Sequence, residues 1–237
     1  MFNALFGAGL IRGYFPDNVP LIVISAFLLM VCTYLLGSVN FAIIISGKKY
    51  HEDIRSHGSK NAGMTNMMRT YGRSAAAFTL IGDAAKAIIS CILGYLVIGQ
   101  EGAFIGGFFC ILGHVFPVFY RFKGGKGVVT AFATVLMCDP IIFLILLAFF
   151  IIIVCFTKYI SLGSIMCMLI YPILHHKAYD IVGLSSSYTH FAVLIAVVIV
   201  VKHWTNIKRL LRGEESKFSF KKSVKAPEES ESQENNK

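Results

Sequence analysis

The chain has 237 residues, of which 56% are hydrophobic and 15% charged, yet its formal net charge is +9. A soluble domain carries about a quarter charged residues and somewhat under half apolar ones, so a soluble globular enzyme is the wrong starting expectation. A polytopic membrane protein takes its place, because the apolar residues run in blocks such as Leu21 to Leu36, Phe104 to Tyr120 and Ile141 to Phe156 and each span needs only about 20 of them.

In chain order, residues 1–19 form an N-terminal extension, with Gly7, Gly9, Gly13 and a single basic residue, Arg12. A secretory signal needs a basic start and an apolar middle, so this segment reads as interfacial. Spans are expected at 20–46, 74–98, 103–120, 127–138, 140–156, 160–175 and 188–202. The fourth would rise only about 18 Å as a helix, and Asp139-Pro140 sets it off by a turn, so six spans with one re-entrant piece is the alternative. The expected fold is an all-α integral membrane protein of about seven transmembrane helices, one of them short, with its membrane domain at 20–213. Residues 214–237 are polar; rich in Glu, Ser, Asn and Gln from Glu228 on, they form a tail that cannot build a core.

Basic residues set the orientation. Nineteen of the 22 lie in 47–73, 121–126, at Lys158 and from Lys202 to the end, against Arg12 and Lys177 opposite and Lys86 inside a span. The positive-inside rule puts the N-terminus outside and the C-terminus in the cytoplasm, which needs an odd number of spans. The six cysteines stand in or beside apolar runs without a C-x-x-C pair, so they read as small buried hydrophobes, with no disulfide framework and no metal site.

Polar and glycine-rich residues gather at three places on the expected cytoplasmic side: Gly37-Ser38-Val39-Asn40; Asp53-Ile54-Arg55 with the stretch Gly58 to Asn66, Arg69 and Gly72; and Gly113-His114-Val115-Phe116-Pro117 with Phe122 to Gly127 and Thr130. Glycine lets backbone N–H groups approach a ligand as an anion nest. Lys123-Gly124-Gly125-Lys126-Gly127 runs directly into a helix, whose free N–H groups attract phosphate. No G-x-x-x-x-G-K-[S/T] string occurs, so nucleotide hydrolysis is unsupported. Ser59, Asn61, Thr65 and Asn66 supply small donors and acceptors, and two arginines can grip phosphate, a set that suits a small polyhydroxy phosphate. Asp83 and Lys86 share one face of the second span, as an internal ion pair or a functional one. His203 and Asn206 leave the last span beside Lys208, Arg209 and Arg212, and Ser161 opens the sixth. His175 and Asp180 make an H-x-x-x-x-D spacing of the kind used by acyl-CoA-dependent acyltransferases, but they fall in the expected external loop, across the membrane from the glycine loops.

Together, Gly37-Ser38, Asp53-Ile54-Arg55 through Arg69, Gly113-His114-x-Phe116-Pro117 with Phe122 to Gly127, Asp83-x-x-Lys86 and His203-x-x-Asn206 through Glu215 resemble the bacterial PlsY family of membrane acyltransferases over roughly residues 30–218. Asn40 stands where that family usually has proline, Lys60 where it usually has glycine, and Ala87 where glycine commonly follows the lysine. The resemblance implies transfer of a fatty acyl group from acyl phosphate to the 1-hydroxyl of glycerol 3-phosphate, giving lysophosphatidic acid and phosphate at the cytoplasmic face of a bacterial plasma membrane. It implies no cofactor, no metal and no nucleic-acid partner, and allows contact with membrane lipid and with the enzyme that produces acyl phosphate.

On this reading Ser38, Lys126, His203 and His114 serve catalysis. Arg55, Ser59, Asn61, Thr65, Asn66, Arg69, Lys123, Gly124, Gly125, Gly127, Thr130, Ser161 and Asn206 bind substrate. The attacking hydroxyl's proton goes to the donor's own phosphate, to His203 or to His114. An acyl-CoA-dependent transferase and a transporter of phosphate esters are the alternatives.

Overall fold

The computed structural model describes residues 8–181 and 188–218, and these contain helices and 3₁₀ turns with no strand among them. In order the helices are α1 (Leu10–Tyr14), α2 (Val19–Ser38), α3 (Phe41–Tyr50), α4 (Met64–Tyr71), α5 (Arg73–Val115), α6 (Val128–Cys138), α7 (Pro140–Thr157), α8 (Ile160–Ile181), α9 (Thr189–Lys202) and α10 (Trp204–Leu211). Among the described residues three helical stretches, Val19–Tyr50, Arg73–Tyr120 and Pro140–Thr157, are long and apolar enough to cross a membrane. The pair α9 and α10, bent by 59°, makes a fourth if counted as one span. Phe27 on α2 and Ile141 and Phe156 on α7 stand exposed, as suits surfaces that face lipid rather than water. Residues 1–7 of the expected extension and 219–237 of the expected tail lie outside the described residues.

One expected span is broken, and two others are the arms of a single hairpin. The stretch 20–46 is divided at Val39 and Asn40, where α2 ends and α3 begins with the Asn40 side chain accepting from Ile43 N at 3.1 Å. The stretches 74–98 and 103–120 are two legs of α5 joined at Ile98 and Gly99, whose dihedrals are non-helical. The chain reverses there. A Cβ on Gly94 would lie 1.9 Å from Gly102 O, and one on Gly106 would lie 2.3 Å from Ser90 O. Residues eight and sixteen apart on a straight helix would be about 12 and 24 Å apart. Glycine at these crossings lets helix backbones touch, the small-residue packing that serves where lipid gives no hydrophobic drive between helices. The same device seats α2 on the second leg of α5, where a Cβ on Gly113 would meet Tyr34 O at 2.1 Å and one on Gly37 would meet Cys110 O at 2.2 Å. The short α1 packs on the hairpin tip, with Arg12 paired to Glu101 at 3.0 Å.

The helices α6 to α9 share a core that includes Val135, Leu146, Met168, Tyr171 and Ile199. At the end of this bundle away from Lys126, buried Asp139 accepts hydrogen bonds from Tyr171 at 2.8 Å and Tyr179 at 3.1 Å. The sixth expected span, 160–175, continues as helix to Ile181, so His175 is not in a loop. It is fully buried, 3.7 Å from Asp139 and 3.1 Å from Thr189 Oγ1. Asp180 pairs instead with Lys177 on the surface at 3.9 Å. Five helical residues point about 140° apart, so His175 and Asp180 form no dyad.

The hairpin crossing yields a prediction. Gly102→Val should lower the thermal unfolding temperature of the detergent-solubilised protein, or abolish its folding, because overpacking of about 1–3 kcal/mol or more falls on backbone that cannot yield. Gly47→Ala, where an added Cβ meets nothing within 4 Å, should be neutral or stabilising by up to about 1 kcal/mol.

Candidate functional site

The site is assembled around one buried ammonium. Lys86, on the first leg of α5, points its Nζ into the break between α2 and α3, donating to Gly37 O at 2.9 Å and Val39 O at 2.6 Å. A helix that stops inside a protein leaves carbonyls without partners, and this lysine satisfies two of them. Its charge is met by Asp83 Oδ1 at 2.9 Å, and His114 Nδ1 stands 3.0 Å away. Asp83, Lys86 and His114 are all buried. The expected ion pair therefore exists, and it extends to a third residue from another cluster. Asn40, at the same break, donates to Ala62 O at 3.3 Å. That bond joins the first cluster to the second, and Asn40 makes it where the resembling family usually has proline.

The second cluster is a loop folded on its own side chains. Asn66 is buried and donates to Ile54 O at 3.1 Å and His57 O at 2.9 Å, while it accepts from Ser59 N at 2.9 Å. Asn66, expected to orient a substrate hydroxyl, has its amide engaged in building the loop. Arg55 pairs with Asp53 through Nη2 at 2.7 Å and through Nε at 3.0 Å, and its Nη1 donates to Tyr120 O at 3.1 Å and Lys123 O at 3.0 Å. The Arg55 hydrogen bond holds the Asp53 carboxyl below its ordinary range, and Asp53 raises the guanidinium in turn. Arg55 has five N–H donors, and one is left for an incoming phosphate. Ser59 is exposed, whereas Asn61, Thr65 and Arg69 are half-buried around α4, with Arg69 reaching Ser216 O at 3.3 Å. Lys60 adopts φ 58, the left-handed conformation that favours glycine, which explains why glycine is usual there in the resembling family.

The third cluster is packed on His114. Gly125 N donates to His114 O at 3.1 Å, so this N–H is not free for an anion. A Cβ on Gly124 would lie 2.0 Å from His114 O, and one on Gly125 would lie 2.2 Å from His114 Nε2 and 2.6 Å from Ala62 O. Gly127 enters α6 at φ 79. The glycines are therefore required by close approach of the loop to His114 and the second cluster. Thr130, expected to touch substrate, is buried and donates to Gly127 O at 2.8 Å. Ser38 is likewise fully buried, donating to Tyr34 O at 2.9 Å and accepting from Val118 N at 3.3 Å. Both hydroxyls donate to backbone carbonyls in this structure. Lys123 stays exposed beside this loop.

Lys126 forms the other pole. Its Nζ donates to Asn206 Oδ1, and the Asn206 amide donates to Glu215 Oε1 at 2.7 Å. Glu215 also accepts from Ser161 at 2.8 Å and from Arg209 Nε at 2.8 Å. Burial lowers the Lys126 ammonium to about 8, although Glu215 opposes this. Burial pushes the Glu215 carboxyl up, but hydrogen bonds from Arg209, Asn206 and Ser161 outweigh it and hold the group below its ordinary value. His203 is buried beside Lys126, with Nδ1 2.7 Å from Ile199 O. A carbonyl only accepts, so Nδ1 donates and Nε2 is the acceptor.

The structure thus brings together Lys86 with His114, Arg55 with the 120–123 turn, and Lys126 with Asn206, Ser161 and His203. Glu215, placed by the sequence in a coreless tail, is the member that had no role assigned. Its partners Ser161 and Asn206 lie on α8 and α10, and only its place in His203-x-x-Asn206 through Glu215 hinted at a site. Among the described residues no three His, Cys, Asp or Glu side chains form a metal-binding group.

The chain is similar to known proteins over most of its length. A family model described as glycerol-3-phosphate acyltransferase matches residues 27–213. The glycerol-3-phosphate acyltransferase of Finegoldia magna is 40% identical over 192 residues, 80% of this chain and 93% of that one. That of Thermoanaerobacter sp. is 37% identical over 200 residues, 84% and 99% of the two chains. Among solved structures, the glycerol 3-phosphate form of PlsY, an integral membrane glycerol 3-phosphate acyltransferase, superposes with a TM-score of 0.75 at 32% identity, over 82% of this chain and 96% of that one. Its lysophosphatidic acid form gives 0.73 at 31%, covering 83% and 96%.

Asn66→Ala removes three hydrogen bonds made by a buried side chain and should cost about 2–3 kcal/mol in thermal unfolding, with faster proteolysis between residues 53 and 60. Lys60→Gly relieves left-handed strain of about 1–2 kcal/mol, partly offset by the freer unfolded chain, and should raise the unfolding temperature.

Proposed function

The chain belongs to the glycerol-3-phosphate acyltransferase family, and from that premise we propose that it moves a fatty acyl group from acyl phosphate to the 1-hydroxyl of glycerol 3-phosphate, releasing lysophosphatidic acid and phosphate. The observation that carries this reading is the half-buried Lys126 ammonium, held by Asn206 at the end of a lysine-glycine loop that is packed against two further polar clusters.

Acyl phosphate is a mixed anhydride with a good leaving group, so the protein need supply chiefly positioning and charge. Lys126 and Lys123, with the open N–H of Arg55, attract the phosphates. Ser161, Asn206 and His203 Nε2 hold glycerol 3-phosphate, and Ser59, Asn61, Thr65 and Arg69 line its approach. The glycerol hydroxyl attacks the acyl carbonyl, the ester bond forms as the anhydride C–O bond breaks, and the hydroxyl proton leaves on the departing phosphate. The acyl tail lies between helices or in lipid.

The basic residues of the 47–73 and 121–126 segments favour a cytoplasmic site, the N-terminus outside and the C-terminus inside. Seven membrane crossings, with α6 the short one and α5 supplying two, agree with that orientation. We place the enzyme in a bacterial plasma membrane, in contact with lipid and within reach of the enzyme that makes acyl phosphate. Neither an acyl-CoA donor nor transport gains a specific observation, since His175 and Asp180 face apart.

Purified protein given glycerol 3-phosphate should form lysophosphatidic acid with acyl phosphate and not with acyl-CoA; product from acyl-CoA alone would overturn the donor assignment. The rate should also depend on pH. Lys126 attracts phosphate only while protonated, and its pKa of about 8 means that kcat/KM, which reports the free enzyme, should fall as pH rises through about 8. In Lys126→Met that limb should vanish and the rate drop about 100-fold.

A further inference from the structure

The two histidines of the site meet opposite kinds of neighbour, and this fixes where each carries its proton. Lys86 Nζ makes three hydrogen bonds, to Gly37 O at 2.9 Å, to Val39 O at 2.6 Å and to His114 Nδ1 at 3.0 Å. A lysine ammonium has three donors and no acceptor, so Nδ1 of His114 must accept. An Nδ1 proton directed at Asp83, 3.5 Å away, would set two donors against each other across the shorter contact. Asp83 instead balances the ammonium at 2.9 Å. A neutral imidazole that accepts at Nδ1 carries its hydrogen on Nε2. That nitrogen abuts Gly125, where even a Cβ would lie within 2.2 Å of it. It therefore borders the lysine-glycine loop. His203 is the reverse case: Nδ1 donates to Ile199 O at 2.7 Å and Nε2 accepts.

We propose that Lys86 is a positioning residue that locks His114 as its Nε2–H tautomer, so that His114 offers a neutral hydrogen bond to a phosphate oxygen at the Lys123–Gly127 loop and does not accept the substrate proton. The phosphate partner rests on the acyltransferase reading; the tautomer does not. A ring with Nδ1 already bonded and Nε2 already protonated has no basic site for a glycerol hydroxyl, which removes His114 from the possible proton acceptors. The lock also accounts for the depth of the ion pair. Lys86 reaches the α2 break and the imidazole from one position on α5, so the same charge shapes the backbone and the histidine.

The test is nuclear magnetic resonance of the full chain in detergent micelles with ¹⁵N-labelled histidine, in which two-bond proton–nitrogen couplings distinguish the tautomers and His114→Gln identifies the signal. The wild type should show the Nε2–H form at residue 114, and Lys86→Met should lose that preference. A wild-type Nδ1–H ring, or one protonated on both nitrogens, overturns the proposal. In transfer assays, His114→Gln, whose amide places an N–H near the Nε2 position, should lose less than about tenfold in kcat/KM, whereas His114→Ala, which also empties a buried partner of Lys86 and so should unfold at a lower temperature, should lose about 100-fold while still folded at the assay temperature. A folded His114→Gln protein as inactive as His114→Ala overturns the donor role. If the wild type forms no product with any acyl donor, the acyltransferase reading fails, and the resonance spectra still decide the tautomer. The spectra decide it equally if a variant fails to fold, because the wild-type ring is observed directly.

Discussion

The Lys86 ammonium is the interaction on which the rest of the site depends. A charged group removed from water is tolerable only when it is paired and fully hydrogen-bonded, and here the partners come from three separate pieces of chain: the end of α2, Asp83 one helical turn away, and His114 on the returning leg of α5. Removing the charge would leave two carbonyls and a carboxylate buried without a counterpart. The break at Val39 and Asn40 is therefore a consequence of the ion pair as much as of local sequence. Because His114 O in turn accepts from Gly125 N, the lysine-glycine loop inherits its position from the same charge.

Close backbone contact is the second constraint. Gly94, Gly102 and Gly106 let the legs of α5 touch, while Gly37 and Gly113 seat α2 on the second leg. These contacts draw Asp83 and Lys86, on one leg, toward His114, on the other. In a membrane, where apolar side chains gain little by leaving lipid for protein, van der Waals contact between backbones is a main source of helix association. The glycines of the 123–127 loop answer a related demand. They make room for His114 and Ala62, and their value for anion binding follows from a packing that is already tight.

Glu215 gives the Lys126 pole its order. Three donors converge on this carboxylate from α8 and α10, and by accepting from the Asn206 amide nitrogen it turns the amide oxygen toward Lys126. A segment with the composition of a solvated tail thus begins by closing the site, since Phe218 N also donates to Lys158 O at 2.7 Å.

The sequence by itself determined the membrane character, the helical architecture, the three polar clusters, the Asp83–Lys86 pairing and the family resemblance, because each rests on local spacing: apolar runs long enough to span, glycines beside lysines, and charges three apart on a helix. The tertiary structure decided what each polar group is bonded to. Ser38, Asn66 and Thr130 looked available from sequence, yet each is engaged by backbone. Glu215 looked solvated, yet it is surrounded by donors. What claims a hydroxyl or amide first is whichever buried polar group comes within its reach. That claim is set by where distant helices end and how closely their glycines let them approach, which spacing along the chain does not encode.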